Sequence, residues 1–186
     1  MAKEQTSPDL RLVWDARECE VTLQDIHIVA APRDRPPFDV DALVVEQDTW
    51  LVLDADTKIV EPVENVGKLV DEMEQSQAAP PGSIRIRSGT PLKLDAVVHD
   101  FEHEPTWTEA WIISALGAVF TLTENSGMKS LGLPLLGCQH GNLEPRRFFS
   151  LLRCVLSNQT PRLIEHLWLV LEPKSDCTII KSLVEH

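Results

Sequence analysis

The residues best placed to do chemistry lie between Lys129 and Phe149, in the order K-S-L-G-L-P-L-L-G-C-Q-H-G-N-L-E-P-R-R-F-F. An apolar run (Leu131, Leu133, Leu135, Leu136) ends at Gly137, and glycines bracket Cys138, Gln139 and His140. Asn142 to Pro145 then opens a helix. The order is strand, glycine loop, helix start. The first N–H groups of a helix lack internal partners, and the helix dipole turns its positive end outward there. A glycine loop at that point lets backbone donors close on an anion, phosphate above all. In an open α/β sheet, ligands settle past the carboxyl ends of the strands. Gly137, Cys138, Gln139, His140, Gly141 and Asn142 are therefore the first candidates for ligand binding.

Other polar groups compete for a chemical role. Glu46 and Asp48 sit two apart at a strand end and so face the same way, as a carboxylate pair for acid/base work would. They are the catalytic candidates. Trp50, just beyond them, offers an aromatic face on which a base or ribose could stack. His99 and His103, in V-V-H-D-F-E-H-E, share a strand face. A third ligand would have to come from elsewhere, so no metal site is expected. Cys138 has no evident partner base and reads as a small buried filler.

Composition narrows the class. The 186 residues fit one domain or a domain with an extension, and 43% hydrophobic with 25% charged residues is ordinary globular usage. The net charge of −12, with no Lys/Arg run, argues against nucleic acid and anionic membrane as partners. An anionic ligand would have to be held by backbone amides instead. The longest apolar run, Trp111 to Phe120, is too short to span a bilayer. Four cysteines with no C-x-x-C pair read as reduced thiols, and with a polar N-terminus they point to a cytoplasmic protein.

The remaining pattern supplies the scaffold. Strands are expected at Leu10–Trp14, Val21–Leu23, Ile26–Ala31 and Asp41–Val45, with a short strand or buried loop at Trp50–Leu53. The prolines of Pro32 to Phe38 force a surface loop at a ligand rim. Val63, Val66, Val70 and Met73 mark a helix over Pro62–Gln77. Ser83–Gly89 alternates as an edge strand, and Leu94–Phe101 follows it. Thr106 and Glu109 read as a capping box for a buried helix ending near Asn125, with Gly127 as its C-terminal cap. A helix over Pro145–Asn158 buries Phe148, Leu151, Leu152 and Val155. Glu165–Leu171 is a last strand, and Cys177–Val184 is a short helix or strand. The alternation implies α/β architecture, a mixed, mostly parallel sheet with helices on both faces.

At this point the chain resembles a macro domain, the family of ADP-ribose-binding α/β modules. The likeness rests on D-V-D-A-L-V-V (Asp39–Val45), P-P-G-S-I-R-I-R-S-G-T-P-L-K-L-D-A-V-V-H-D (Pro80–Asp100) and S-L-G-L-P-L-L-G-C-Q-H-G-N-L (Ser130–Leu143). His99, Gly137, Cys138, His140 and Gly141 fall on matching positions. The resemblance implies a three-layer α/β/α fold over residues 21–172, with an N-terminal extension or first strand at 1–20 and a C-terminal extension at 173–186. It also implies an ADP-ribose-like ligand, held by the 137–142 loop and, on the opposite lip, by Asp48, Thr49 and Trp50. The pattern departs where Gln139 replaces a glycine and where Val45-Glu-Gln-Asp48 replaces the Asn-Ala-Ala-Asn motif. It departs again where the glycine-rich cover after that motif is missing, so the resemblance is to a degenerate member. A binding module that needs no cofactor is expected. A ligand-dead module serving homo-oligomerisation or protein contact is the alternative, and a hydrolase of ADP-ribose conjugates using Glu46 or Asp48 is a third.

Overall fold

A computed structural model of the chain describes residues 19–53, 78–173 and 175–184. The strand expected at Leu10–Trp14 and the helix expected over Pro62–Gln77 lie outside them. The described strands are β1 (Glu20–Leu23), β2 (Ile26–Pro32), β3 (Ala42–Asp48), β4 (Ile84–Arg87), β5 (Leu92–His99), β6 (Ser130–Pro134) and β7 (His166–Leu171). They form one sheet in the order β1-β2-β7-β6-β3-β5-β4. The five inner strands run parallel, and β1 and β4 pair antiparallel at the two edges. Helices α1 (Glu109–Asn125) and α2 (Pro145–Gln159) and a 3-10 helix (Cys177–Leu183) complete the described elements.

The pleat divides the sheet into two faces, since successive side chains alternate. Ile28, Ala30, Ala42, Val44, Leu94, Ala96, Leu131, Leu133, Leu167 and Leu169 point to one face and form the core with the helices. Ile112, Leu116 and Phe120 of α1, and Phe148, Phe149 and Leu152 of α2, are fully buried in it. The 3-10 helix adds Cys177, Ile180 and Leu183 to the same cluster. On the other face Val45, Val97 and Trp168 are buried too, so β3 is apolar on both sides as an inner parallel strand requires. The β4 strand keeps its expected edge place, with Ile86 exposed.

Three local expectations change. The N-cap of α1 is Thr108, whose hydroxyl accepts from Trp111 N–H at 3.3 Å, so the helix starts later than a cap at Thr106 requires. Two threonines two apart compete for one cap, and the one that leaves Trp107 against the core wins. Trp50–Leu53 is neither strand nor buried loop: it is a turn with Leu51 at φ +60°, and Trp50 and Val52 are exposed. Third, the cysteines are not all reduced thiols. Cys19 and Cys177 form a disulfide across 158 residues, while Cys138 and Cys154 are free. The fold brings the 3-10 helix onto β1 and β2, and the two Cα atoms stand 5.1 Å apart, within bonding reach. The cytoplasmic reading rested partly on reduced thiols and loses that support. No helix among the described residues is long and apolar enough to cross a membrane.

The starts of β3 and β6 are clamped by Asp41. One carboxylate oxygen accepts from Lys129 N–H (2.8 Å), Ser130 N–H (2.9 Å) and the Ser130 hydroxyl (3.0 Å). The Lys129 amide, more than any other group, holds the Asp41 pKa below its ordinary value of 3.8. A folded-state pKa below the unfolded one adds stability that is full above 3.8 and fades as pH falls through the lower folded value. Asp41→Asn is expected to lose about 1 kcal/mol at pH 7, a modest figure because the site is largely exposed. Denaturant titrations at pH 7 and pH 2 check this: the gap between the two proteins should shrink in acid.

Candidate functional site

The carboxyl ends of β3, β6 and β7 open onto a cavity of about 300 Å³. Among the described residues its wall includes Arg33, Glu46, Leu53, Gln139, His140 and Glu172, over an apolar floor of Leu43, Val45, Pro134 and Val170. A second space of about 220 Å³ shares Glu46, Gln139 and Glu172 and reaches Cys138 and Ser175. Arg33 comes from the proline-rich loop after β2, and no ion-pair partner meets it among the described residues.

Glu46 is the residue that ties this region together. Its side chain is 7% exposed, one oxygen accepts from His99 Nε2–H at 2.5 Å, and the other accepts from Gly137 N–H at 3.0 Å. A break in register explains the first bond. Between β3 and β5, Gln47 faces Val97 but Asp48 faces His99, so Val98 is an extra, bulged residue. Strict alternation would send His99 away from Ala96, the partner of Glu46. The bulge resets the alternation and delivers the imidazole to the carboxylate. His99 is fully buried, its ring stacked on Phe101 and set edge-on to His140, and its Nδ1 has no hydrogen-bond partner among the described residues.

The loop after β6 is partly closed on itself. Gly137 sits at φ +78°, where side chains rarely go, and a Cβ there would meet Ile112 at 2.7 Å. Its carbonyl accepts from both Gly141 N–H and Leu143 N–H at 3.0 Å, and Cys138 N–H donates to Leu135 O. The amides of Gln139, His140 and Asn142 have no acceptor among the described residues. Gln139, His140 and Asn142 are exposed, and Asn142 takes φ +56°, a conformation that asparagine tolerates. Cys138 is half-buried, and burial together with the nearby Glu46 charge pushes its thiol up to about 12. It is therefore a thiol at neutral pH, not a nucleophilic thiolate.

Gly141 has a packing task instead. A Cβ there would lie 2.7 Å from the Gly137 carbonyl oxygen and 2.9 Å from the Trp107 ring. Gly141→Val is expected to cost about 2 kcal/mol through forced overpacking, lowering the melting temperature by about 4–8 °C. Thermal denaturation by circular dichroism reads the shift directly.

The other predicted lip is built differently. Asp48 is buried, and its Oδ1 accepts from Trp50 N–H at 3.1 Å and Val52 N–H at 3.0 Å, folding the turn that follows β3. Thr49 is tied to both neighbours, its N–H donating to His99 O and its carbonyl accepting from Ala79 N–H. Trp50 turns outward and donates its indole N–H to Glu102. Asp48, Thr49 and Trp50 are not among the residues lining either cavity. Glu46 and Asp48 thus serve two separate bond networks rather than one carboxylate pair. His103 pairs with Asp100 on the surface, and no three metal-ligating side chains converge among the described residues. The residues that sequence reasoning missed are Arg33 and Glu172 on the cavity wall and the Glu46–His99 contact. The proline-flanked loop, read as a ligand rim, was the one signal for Arg33.

No family model matches the sequence, and the search of curated proteins gives no match. Solved structures do match. A macrodomain mutant from Oceanobacillus iheyensis, with ADPR, superposes at TM-score 0.64 and 15% identity, covering 89% of this chain and 95% of that one. The macro domain of ganglioside induced differentiation associated protein 2 gives 0.60 and 16%, over 91% and 89%. The Trypanosoma brucei macrodomain in complex with ADP gives 0.60 and 13%, over 86% and 69%. Together with the mixed, mostly parallel sheet, these likenesses show that this chain has the macrodomain fold, a three-layer α/β/α arrangement.

Proposed function

We propose that the chain is a macro-like module that binds a phosphate-bearing nucleotide or metabolite of the ADP-ribose kind. The observation that carries this reading is the open cavity at the strand ends, lined by Gln139 and His140, whose amides have no acceptor among the described residues, and by Arg33. Its volume falls at the small end of ligand pockets, and its apolar floor with a few converging polar groups is the usual composition of one. The ligands named for the similar O. iheyensis and T. brucei structures, ADPR and ADP, support the ligand class.

A second reading is favoured by one bond. The Glu46 carboxylate already accepts from Gly137 N–H, so part of the anion receptor is filled from within. On that reading the fold serves contact with another protein or another copy of the chain. The hydrolase reading draws less support, because Asp48 is engaged by two backbone amides of its own turn.

Calorimetry with ADP-ribose and with adenosine monophosphate separates these. Binding tighter than about 1 mM, or −4 kcal/mol, is expected for at least one of them. Arg33→Ala should weaken it by about tenfold, the worth of one charge-assisted contact to phosphate. No heat from either nucleotide at millimolar concentration would leave the contact reading standing and remove the binding one.

A further inference from the structure

One wall of the cavity comes from the stretch that joins β7 to the 3-10 helix. Glu172 and Pro173 line the larger space, and Glu172 and Ser175 line the smaller one. The described residues of this stretch belong to no helix or strand, and Glu172 and Pro173 are exposed. Its described backbone bonds are few: Ser175 N–H donates to Glu172 O, and Arg33 N–H donates to Leu171 O just ahead of it. The wall is therefore fixed mainly at its ends. One end is β7. The other is Cys177, two residues past Ser175, bonded to Cys19 just before the edge strand β1. Ile180 and Leu183 are buried in the core, but they sit further along the 3-10 helix. The disulfide is the anchor nearest the cavity. Without it the wall has more conformations, and a ligand that packs on it must restrict them again, at a cost in affinity.

We infer that the Cys19–Cys177 disulfide is a redox control on the ligand site: closed, it holds the Glu172–Ser175 wall for binding, and opened, it weakens binding. The inference rests on the binding reading above. Opening is thiol–disulfide exchange with a dithiol reductant. The reductant gives two electrons and two protons and closes into its own disulfide, the Sγ–Sγ bond breaks, and Cys19 and Cys177 become thiols. Coupling is reciprocal, so bound ligand makes the disulfide harder to reduce by the same factor.

Calorimetry of the full chain compares the oxidised and dithiol-reduced forms, at a temperature where circular dichroism shows both folded. The probe is whichever of ADP-ribose and adenosine monophosphate binds the oxidised form. Reduction should weaken binding about tenfold, the cost of ordering a freed residue or so of wall. Cys19→Ser should bind like the reduced form with or without reductant, and Cys154→Ser should behave as wild type, its thiol being free and exposed. In a redox titration, saturating ligand should move the disulfide midpoint about 30 mV to more negative potential, the equivalent of tenfold. Ser175 N–H should exchange faster after reduction, while Leu169 in β7 keeps its rate. Equal affinity in the two folded forms overturns the inference and leaves the binding reading intact, and so does a midpoint that ignores ligand. A reduced chain that unfolds outright also overturns it, since the bond then holds the fold rather than the wall. No heat from either nucleotide with the oxidised protein removes the binding reading, and this inference with it.

Discussion

Reduction of the Cys19–Cys177 disulfide is expected to lower the melting temperature by about 4–20 °C. The bond closes a loop of 158 residues, nearly the whole fold. Loop-closure entropy assigns such a cross-link about 5 kcal/mol, and native disulfides typically contribute about 2–5 kcal/mol. In a domain of this size each kcal/mol moves the midpoint by about 2–4 °C. The bond also fixes a packed element. Cys177 starts the 3-10 helix whose Ile180 and Leu183 are buried in the core, and Cys19 precedes the edge strand β1. Freeing the bond therefore releases both the last described helix and the first described strand. Differential scanning calorimetry with and without a phosphine reductant measures this, and Cys177→Ser should match the reduced protein. Cys154→Ser is the control, since Cys154 is a free, exposed thiol. A wild-type midpoint that ignores reductant would mean that the cross-link does not hold the fold in solution.

That bond was invisible in the sequence because cysteine spacing carries no distance information across 158 residues. What was legible follows from periodicity and punctuation. Alternating Ile84-Arg85-Ile86-Arg87 gave an edge strand, the apolar D-A-L-V-V gave an inner one, and Phe148, Leu151, Leu152 and Val155 marked the buried side of α2. The glycine-bracketed loop was visible too, as a place where backbone conformation is unusual. Which amides it leaves open was not, because that depends on Gly137 O accepting two bonds and on a carboxylate arriving from β3. The turn-capping bonds of Asp48 were not legible for a related reason. A short polar residue after a strand can cap a turn or activate water, and only the positions of the Trp50 and Val52 amides decide between them. The Glu46–His99 contact needed a bulge that no local pattern announces.

His99→Leu is expected to destabilise the chain by about 3–5 kcal/mol, more than its lost volume explains. Leucine fills a similar space in a fully buried position, so the cavity cost is small. The cost comes from Glu46, which keeps only the Gly137 amide as partner while still buried. Removing one member of a buried pair leaves a charge that the protein must hold without compensation. Replacing both members with apolar groups removes that charge, so the double variant His99→Leu/Glu46→Leu should be more stable than His99→Leu alone. It should still fall short of wild type, because Gly137 N–H then loses its acceptor, a loss of about 1–3 kcal/mol. Denaturant titration of the wild type, both single variants and the double variant forms a double-mutant cycle, with an expected coupling of about 1–3 kcal/mol. Additive effects would mean that the imidazole and the carboxylate do not depend on each other in solution. The His99 Nδ1, buried in wild type without a hydrogen-bond partner among the described residues, bears on the same balance. Its desolvation is a cost that the Glu46 bond must offset for the bulge at Val98 to persist, so loss of Glu46 should also loosen β5 at its carboxyl end. Faster amide exchange at Thr49, which donates to His99 O, would report that loosening independently of the global midpoint.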